Sequence, residues 1–308
     1  MKEGKKEAPT VLVLDALRER VEKETNGHVT VLRDDRDNPS HMLVIPKFQC
    51  EEIDPALGTG TFPAFIVDGQ EKSELFIGHC QAMVKSGRAY SLLDERPQYG
   101  IDFDDSRAAC VAKGKGWHLT SGWDWAAAAY YVTKHGLQKY FDRSGWWEWV
   151  DGLKIVDGKL FFPNGNDYAL PEADWPFQGA CFDADGDDPV LSAEVTNFSE
   201  PIPKGAADDR DDDYAYVGSF ERLELSDSYK KLDQTTRERM ARMMIEPAAK
   251  SMFSEMSGSL FVRNYGERFP VRGGSWGIGA GAGLGALTLG NRRSYVSSCI
   301  GLRPAFLL

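Results

Sequence analysis

The residues of this chain that could do chemistry fall into a few groups. From Val271 to Phe306 it reads VRGGSWGIGAGAGLGALTLGNRRSYVSSCIGLRPAF, and Gly277, Gly279 and Ala282 satisfy the relaxed G-x-G-x-x-G/A spacing. In that pattern backbone N–H groups and a helix N-terminus hold a pyrophosphate, and a helix, a strand and an acid roughly 20 residues on must follow. No Asp or Glu follows Gly283, and no Gly-Lys-Ser/Thr follows the glycines, so neither a dinucleotide cradle nor a P-loop is supported. Five cysteines, Cys50, Cys80, Cys110, Cys181 and Cys299, form no C-x-x-C pair, which argues against a zinc site and a disulfide framework. Asp183, Asp185 and Asp187 with Glu194 echo a calcium loop, but Gly186 stands at the fourth place instead of the sixth. A solvated acidic loop is the expectation there, with no metal and no cofactor. No Ser-His-Asp pattern stands out, and His118 and His135 read as helix-end residues.

The elements that would position these groups follow from periodicity. Val11 to Lys23 has helical apolar spacing with Gly27 as a stop, and His28 to Leu32 alternates like a strand. Met42 to Phe48, Phe62 to Val67 and Glu74 to Ile77 are strand candidates. Asp104 or Asp105 caps a helix running to Gly114, and Ser121 with Asp124 has capping-box spacing for a helix ending near Gly136. Gly145 to Phe162 reads as two strands with turns at Asp151-Gly152 and Asp157-Gly158, and Asp167 to Arg210 as long surface loops with short strands. Met240, Met243 and Met244 form a helical stripe whose expected place is the core. Leu260 to Val262, Phe269 to Trp276, Leu284 to Leu289 and Ile300 to Leu302 are the last strands expected. The sum is an α+β fold with few helices, short antiparallel strands and long loops.

With 308 residues and 42% of them hydrophobic, the chain can bury a sizeable core. The net charge of -11 disfavours nucleic acid and anionic membrane as general partners. Acids cluster at Asp183 to Asp188 and Asp208 to Asp213, whereas Arg272 to Leu308 holds four Arg and no acid, predicting a locally positive C-terminal surface. No stretch has the length of a membrane span and no Sec leader is visible, so membrane insertion is not expected. A cytoplasmic protein or a virion component fits this pattern.

Larger motifs add a resemblance. Asp102 to Ala129 resembles the helix, turn and Trp-capped helix of the formylglycine-generating-enzyme branch of the C-type lectin fold. The C-terminal NYGERFPVRGGSW…NRRSY…IGLRPAF closely resembles the variable region of proteins diversified by diversity-generating retroelements, with support from Ile45 to Phe48, Phe62 to Phe65, Gly87 to Tyr90 and Trp149 to Gly152. The resemblance implies a C-type lectin domain over 42–308, after a helix-strand prelude at 1–41, with a variable region at about 272–303. In such proteins an adenine-directed copy turns template AAY codons into NNY codons, which never encode Met, Trp, Lys, Gln or Glu. The corresponding positions here are Gly277, Ile278, Gly281, Gly285, Thr288, Gly290, Asn291, Tyr295, Ser297, Ser298 and Cys299, all of types that NNY can encode. The intervening Trp276, Ala280, Ala282, Ala286, Leu287, Leu289, Arg293, Ile300 and Arg303 would be frame.

The glycine ladder is then a product of mutagenesis on a binding face, and the alternative is a flexible glycine-rich loop. The implied function is non-enzymatic binding of a host-surface or protein ligand, on a phage tail or other virion surface or on a cell surface, with oligomer or virion assembly compatible. Tyr295 and Ile278, assisted by Asn291, are the expected contact residues of a shallow, modest-affinity surface. Two alternatives stay open: a formylglycine-type oxidase, which would need a cysteine partner near Cys299, and a structural virion protein that is not diversified.

Overall fold

The computed structural model describes residues 15–141, 146–185, 188–198, 216–219, 223–247, 256 and 258–308, with the backbone alone for 216–219, 276 and 280. The helix Gly122–His135 organises the core. Ser121 Oγ accepts from the Asp124 N–H while the Asp124 carboxylate accepts from the Ser121 N–H, closing the expected capping box, and Gly136 ends the helix at φ 66. Trp123, Trp125, Ala126, Ala127, Ala128, Ala129 and Tyr130 are all buried, because the alanine run lets neighbours approach closely from every side. Three polar tips then tie the helix to other elements: Trp123 Nε1 donates to the Pro163 carbonyl, Trp125 Nε1 to Leu284 and the Tyr130 hydroxyl to Ala241.

Two principal sheets flank this helix in an α+β arrangement, with six α-helices among the described residues. The smaller sheet is antiparallel, in the order Val29–Arg33, Pro39–Pro46, Glu74–Gly78, Pro304–Phe306, Trp117–Leu119. The strand Pro39–Pro46 runs across residue 41, so the helix-strand prelude continues into this sheet. The larger sheet centres on Gly283–Asn291, which lies parallel to Ser259–Val262 and antiparallel to Glu267–Gly273. Trp147–Trp149 pairs with both Glu267–Gly273 and Ile300–Gly301. Gly274 is demanded by geometry: its φ is 78, and a Cβ there would stand 2.6 Å from Ala282 Cα.

Several expectations are met. The first described helix is Ala16–Glu24, residues 11–14 of the expected span lying outside the described residues. Lys154–Val156 and Lys159–Phe161 form a hairpin whose turn residues Asp157 and Gly158 both have positive φ. Met240, Met243 and Met244 are fully buried at the end of the helix Gln234–Arg242.

Others are corrected. Phe62 to Val67 is mainly the 3-10 turn Pro63–Phe65, since Pro at the first helical position favours a turn over a strand. The helix Phe103–Val111 is capped by Asp102 rather than by Asp104 or Asp105, which occupy its first turn. Asp151-Gly152 joins no hairpin, because Trp147–Trp149 pairs elsewhere. The strands expected within the loops of 167–210 include one longer than expected, the nine-residue Phe177–Asp185, paired with Asp188–Ser192. Its Gly and Asp residues obscure an alternation that burial against the main core supplies. The strand Pro304–Phe306 was not expected, and its proline is accommodated at the first position.

Candidate functional site

The far end of the larger sheet carries a cleft of about 260 Å³. Its lining comes from Trp147, Phe261, Arg263, Val271, Ile278, Thr288, Gly290, Asn291, Tyr295, Ser297, Cys299 and Ile300. Alternation along Gly283–Asn291 puts Thr288 and Gly290 on this side, while Leu287 and Leu289 enter the main core. Beneath the cleft a second apolar cluster of Trp147, Trp149, Phe269, Val271, Ala286, Ile300 and Leu302 forms a packed floor, against which Ile278, Tyr295 and Cys299 rest half-buried.

Seven of the eleven residues singled out in the sequence line this cleft: Ile278, Thr288, Gly290, Asn291, Tyr295, Ser297 and Cys299. Gly277 and Ser298 are exposed beside it. Gly281 is half-buried, and a Cβ there would stand 2.2 Å from Ser259 Oγ, so a larger residue requires that hydroxyl to rotate away. Gly285 is buried within the strand, and Thr288 and Gly290 are buried in the cleft rather than spread on an open face. The surface is therefore concave, not shallow, because Gly290 leaves space above the sheet. Of the expected frame residues, Ala286, Leu287, Leu289, Ile300 and Arg303 are buried, and Ala282 is half-buried. The side chains of Trp276 and Ala280 lie outside the described residues.

The loop over 292–299 is held by its backbone. The carbonyls of Arg293, Ser297 and Cys299 accept from the N–H groups of Phe103, Gly100 and Trp147 at 3.1, 3.0 and 3.1 Å. Arg293 clamps the loop from outside by donating to both Asp104 oxygens and to Glu172, with its guanidinium over the Phe269 ring. The hydrogen bond to Asp104 raises the Arg293 pKa further above its ordinary value. None of these contacts uses the side chain of Tyr295, Ser297 or Cys299.

The expected positive surface is not found. Arg272 is buried and donates to the carbonyls of Met243 and Met244, and Arg303 is buried against Glu148 in a two-pronged pair at 2.7 and 2.6 Å. With Arg293 paired as well, these arginines pin the frame. The cleft instead draws its charge from Arg263, which the sequence reading did not single out. Strand alternation carried the signal: Phe261 and Arg263 share the face opposite the buried Leu260 and Val262.

The other reactive groups are engaged structurally. His118 Nε2 meets Asp124 Oδ2 at 2.9 Å, but Ser121 Oγ donates to Asn166 Oδ1, and all four residues are buried. This constellation caps a helix; His118 further stacks on Tyr168 at 4.0 Å. His135 packs on Tyr131. All five cysteines are free; burial pushes Cys50 and Cys181 up to about 11 and raises Cys110 as well, so these thiols are held away from thiolate chemistry. Cys299 alone of them lines the cleft, beside Ser297 Oγ at 3.0 Å. Asp183 spends its carboxylate on Thr196 and Asn197; burial would raise its pKa, but these hydrogen bonds outweigh that and lower it. Asp187 of the calcium-like pattern lies outside the described residues, and among those described no cluster of metal-ligating side chains occurs. The glycine run at Trp276–Gly281 forms 3-10 turns that lead into a strand, so the helix a phosphate cradle needs is missing there.

No protein-family model matches the sequence, and no curated protein matches it. Among the described residues no helix is long and apolar enough to cross a membrane.

Proposed function

We propose that the chain is a retroelement-diversified binding protein, a C-type lectin-like frame displaying a variable cleft to a host-surface or protein ligand. The observation that carries this reading is that the loop over 292–299 is tied to its neighbours by backbone bonds, with Ser297 Oγ accepting locally from the Cys299 N–H at 3.3 Å. Main-chain bonds to Gly100, Phe103 and Trp147 fix its course, while Tyr295, Ser297 and Cys299 turn toward one cleft. Such a loop accepts new side chains without losing its shape. The α+β frame with short strands and few helices supports the same reading, as does the absence of a second thiol lining the cleft beside Cys299.

The test is genetic. The eleven codons at Gly277, Ile278, Gly281, Gly285, Thr288, Gly290, Asn291, Tyr295, Ser297, Ser298 and Cys299 should end in C or T and align with AAY codons in a nearby template repeat. Purine third bases at several of them, or a locus without template and reverse transcriptase, would sink the diversified reading and leave a structural virion protein as the better account.

A further inference from the structure

Arg263 is 3% exposed, yet no carboxylate among the described residues pairs with it. Its Nε has no hydrogen-bond partner and its Nη1 makes only a long 3.5 Å contact with the Gly290 carbonyl. A buried guanidinium left in that state carries a desolvation cost that a partner would offset. Four other arginines meet carboxylates: Arg88 meets Asp34 and Asp35, Arg107 meets Asp151 and Glu172, Arg293 meets Asp104 and Glu172, and Arg303 meets Glu148. Arg272 also keeps unpartnered nitrogens, but it is enclosed against the Met243 and Met244 carbonyls and borders no cleft. Arg263 differs because it forms part of a cleft wall.

The geometry points to Arg263 as a constant anchor for a ligand carboxylate at the base of the variable cleft. This rests on the reading of the cleft as a binding face and names what that face takes. Among the described residues no Asp, Glu or Lys lines the cleft, so the guanidinium is its one charged group. A single fork of N–H donors suits a planar monoanion, whereas a phosphate dianion calls for a second cation or a helix N-terminus, and neither is among the described residues lining this site. The net charge of -11 works against polyanions in the same direction. Trp147, Phe261 and Ile278 supply apolar walls, so the matching class is a carboxylate carried on an apolar or aromatic body small enough for about 260 Å³. Arg263 lies before the variable region, so every diversified version would keep the charge while Thr288, Asn291, Tyr295 and Ser297 changed the walls around it.

Gly290 provides a second handle. A Cβ there would lie 3.4 Å from Thr288 Oγ1 and 3.9 Å from Arg263 Cγ, in ordinary contact, so Gly290→Asn fits the backbone and covers the guanidinium without altering it. The experiment titrates the full chain with sodium benzoate, its neutral isostere benzamide, and inorganic phosphate, following binding by calorimetry and folding by thermal melting. Benzoate should bind at least about tenfold more tightly than benzamide or phosphate, the margin of a charge-assisted bond. Arg263→Gln should erase the margin over benzamide, and Gly290→Asn should weaken benzoate by a similar factor with the melting curve unchanged. Equal binding of benzamide and benzoate overturns the carboxylate anchor while leaving a binding cleft. Phosphate binding as tight as benzoate, benzoate binding indifferent to Gly290→Asn, or no benzoate binding at all each overturns it too. Should Arg263→Gln fail to fold, the benzoate-to-benzamide ratio and Gly290→Asn still decide. The codon test judges diversification separately.

Discussion

At the start of the helix Gly122–His135, polar side chains are buried together and answer one another. Asp124 accepts from the Ser121 N–H, from Asn166 Nδ2 and from the His118 side, and Ser121 Oγ closes the circuit onto Asn166. In the C-terminal cleft, by contrast, Arg263 is as deeply buried yet meets no carboxylate among the described residues, and its Nε has no hydrogen-bond partner. Both regions place polar atoms out of water, and they differ in whether the chain itself satisfies them. A satisfied network fixes geometry and is costly to alter; an unsatisfied one is available to something else. Ser121, His118 and Asp124 belong to the first kind, and the cleft around Arg263 belongs to the second.

That contrast can be broken most forcefully at Glu148. Glu148→Ala leaves the fully buried Arg303 without its carboxylate and should cost about 3 to 5 kcal/mol in denaturant unfolding. A loss below about 1 kcal/mol would mean that the frame does not depend on this pair. Asp124→Ala strands buried donors on Ser121, His118 and Asn166 and should cost about 3 kcal/mol by the same measurement. A near-neutral result would remove the distinction between network and cleft.

Acid offers a smaller perturbation at the edge of the frame. Burial would raise the Asp34 carboxyl, but the Asn38 and Arg36 backbone N–H groups, with Arg88, outweigh it and hold the pKa at about 2, below the ordinary 3.8. The folded pKa is depressed, so the stabilisation is present in full above the ordinary value and fades as pH falls from about 4 toward 2. Asp34→Asn should flatten that part of a stability-against-pH profile; an unchanged slope would contradict the assignment.

The smallest effects on stability are expected in the cleft. Tyr295→Ala and Ile278→Ala should each cost about 1 kcal/mol or less, since both side chains rest half-buried on the floor, yet each should weaken binding of a confirmed ligand by at least about tenfold if it is an anchor. Melting curves and affinities on the same samples separate the two readouts.

Local signals explain how much of this was legible in the sequence. The Ser121-x-x-Asp124 box, Gly136 and the Asp157-Gly158 turn are each set by residues within a turn or two and form where their patterns placed them, and the three methionines are buried as expected although the helix ends at Arg242, before Met243 and Met244. Phe177–Asp185 becomes a strand because Lys159–Phe161 and Asp188–Ser192 pair with it from either side, which no local pattern reveals. Pro304–Phe306 likewise sits between two strands from much earlier in the chain, against the usual bias of proline. The positions expected to vary rest on a family resemblance in type and spacing, and seven of the eleven line one cleft. The concavity of the site was not legible, because it depends on Gly290 facing Arg263 across a parallel strand pair. Four C-terminal arginines looked like a positive surface, and only tertiary partners such as Glu148 and Asp104 reveal three of them, Arg272, Arg293 and Arg303, as pins of the frame.

The central claim is that a satisfied frame carries an exchangeable face, and one measurement addresses it directly: exchange Ile278, Thr288, Asn291, Tyr295, Ser297 and Cys299 together for other residues that NNY codons allow, and melt the product beside Glu148→Ala. The account predicts that several such combinations melt within about 4 °C of the parent, as for a stability change near 1 kcal/mol, while Glu148→Ala falls much further. If the exchanged chains unfold as readily as Glu148→Ala, the cleft side chains are part of the frame and the claim is contradicted.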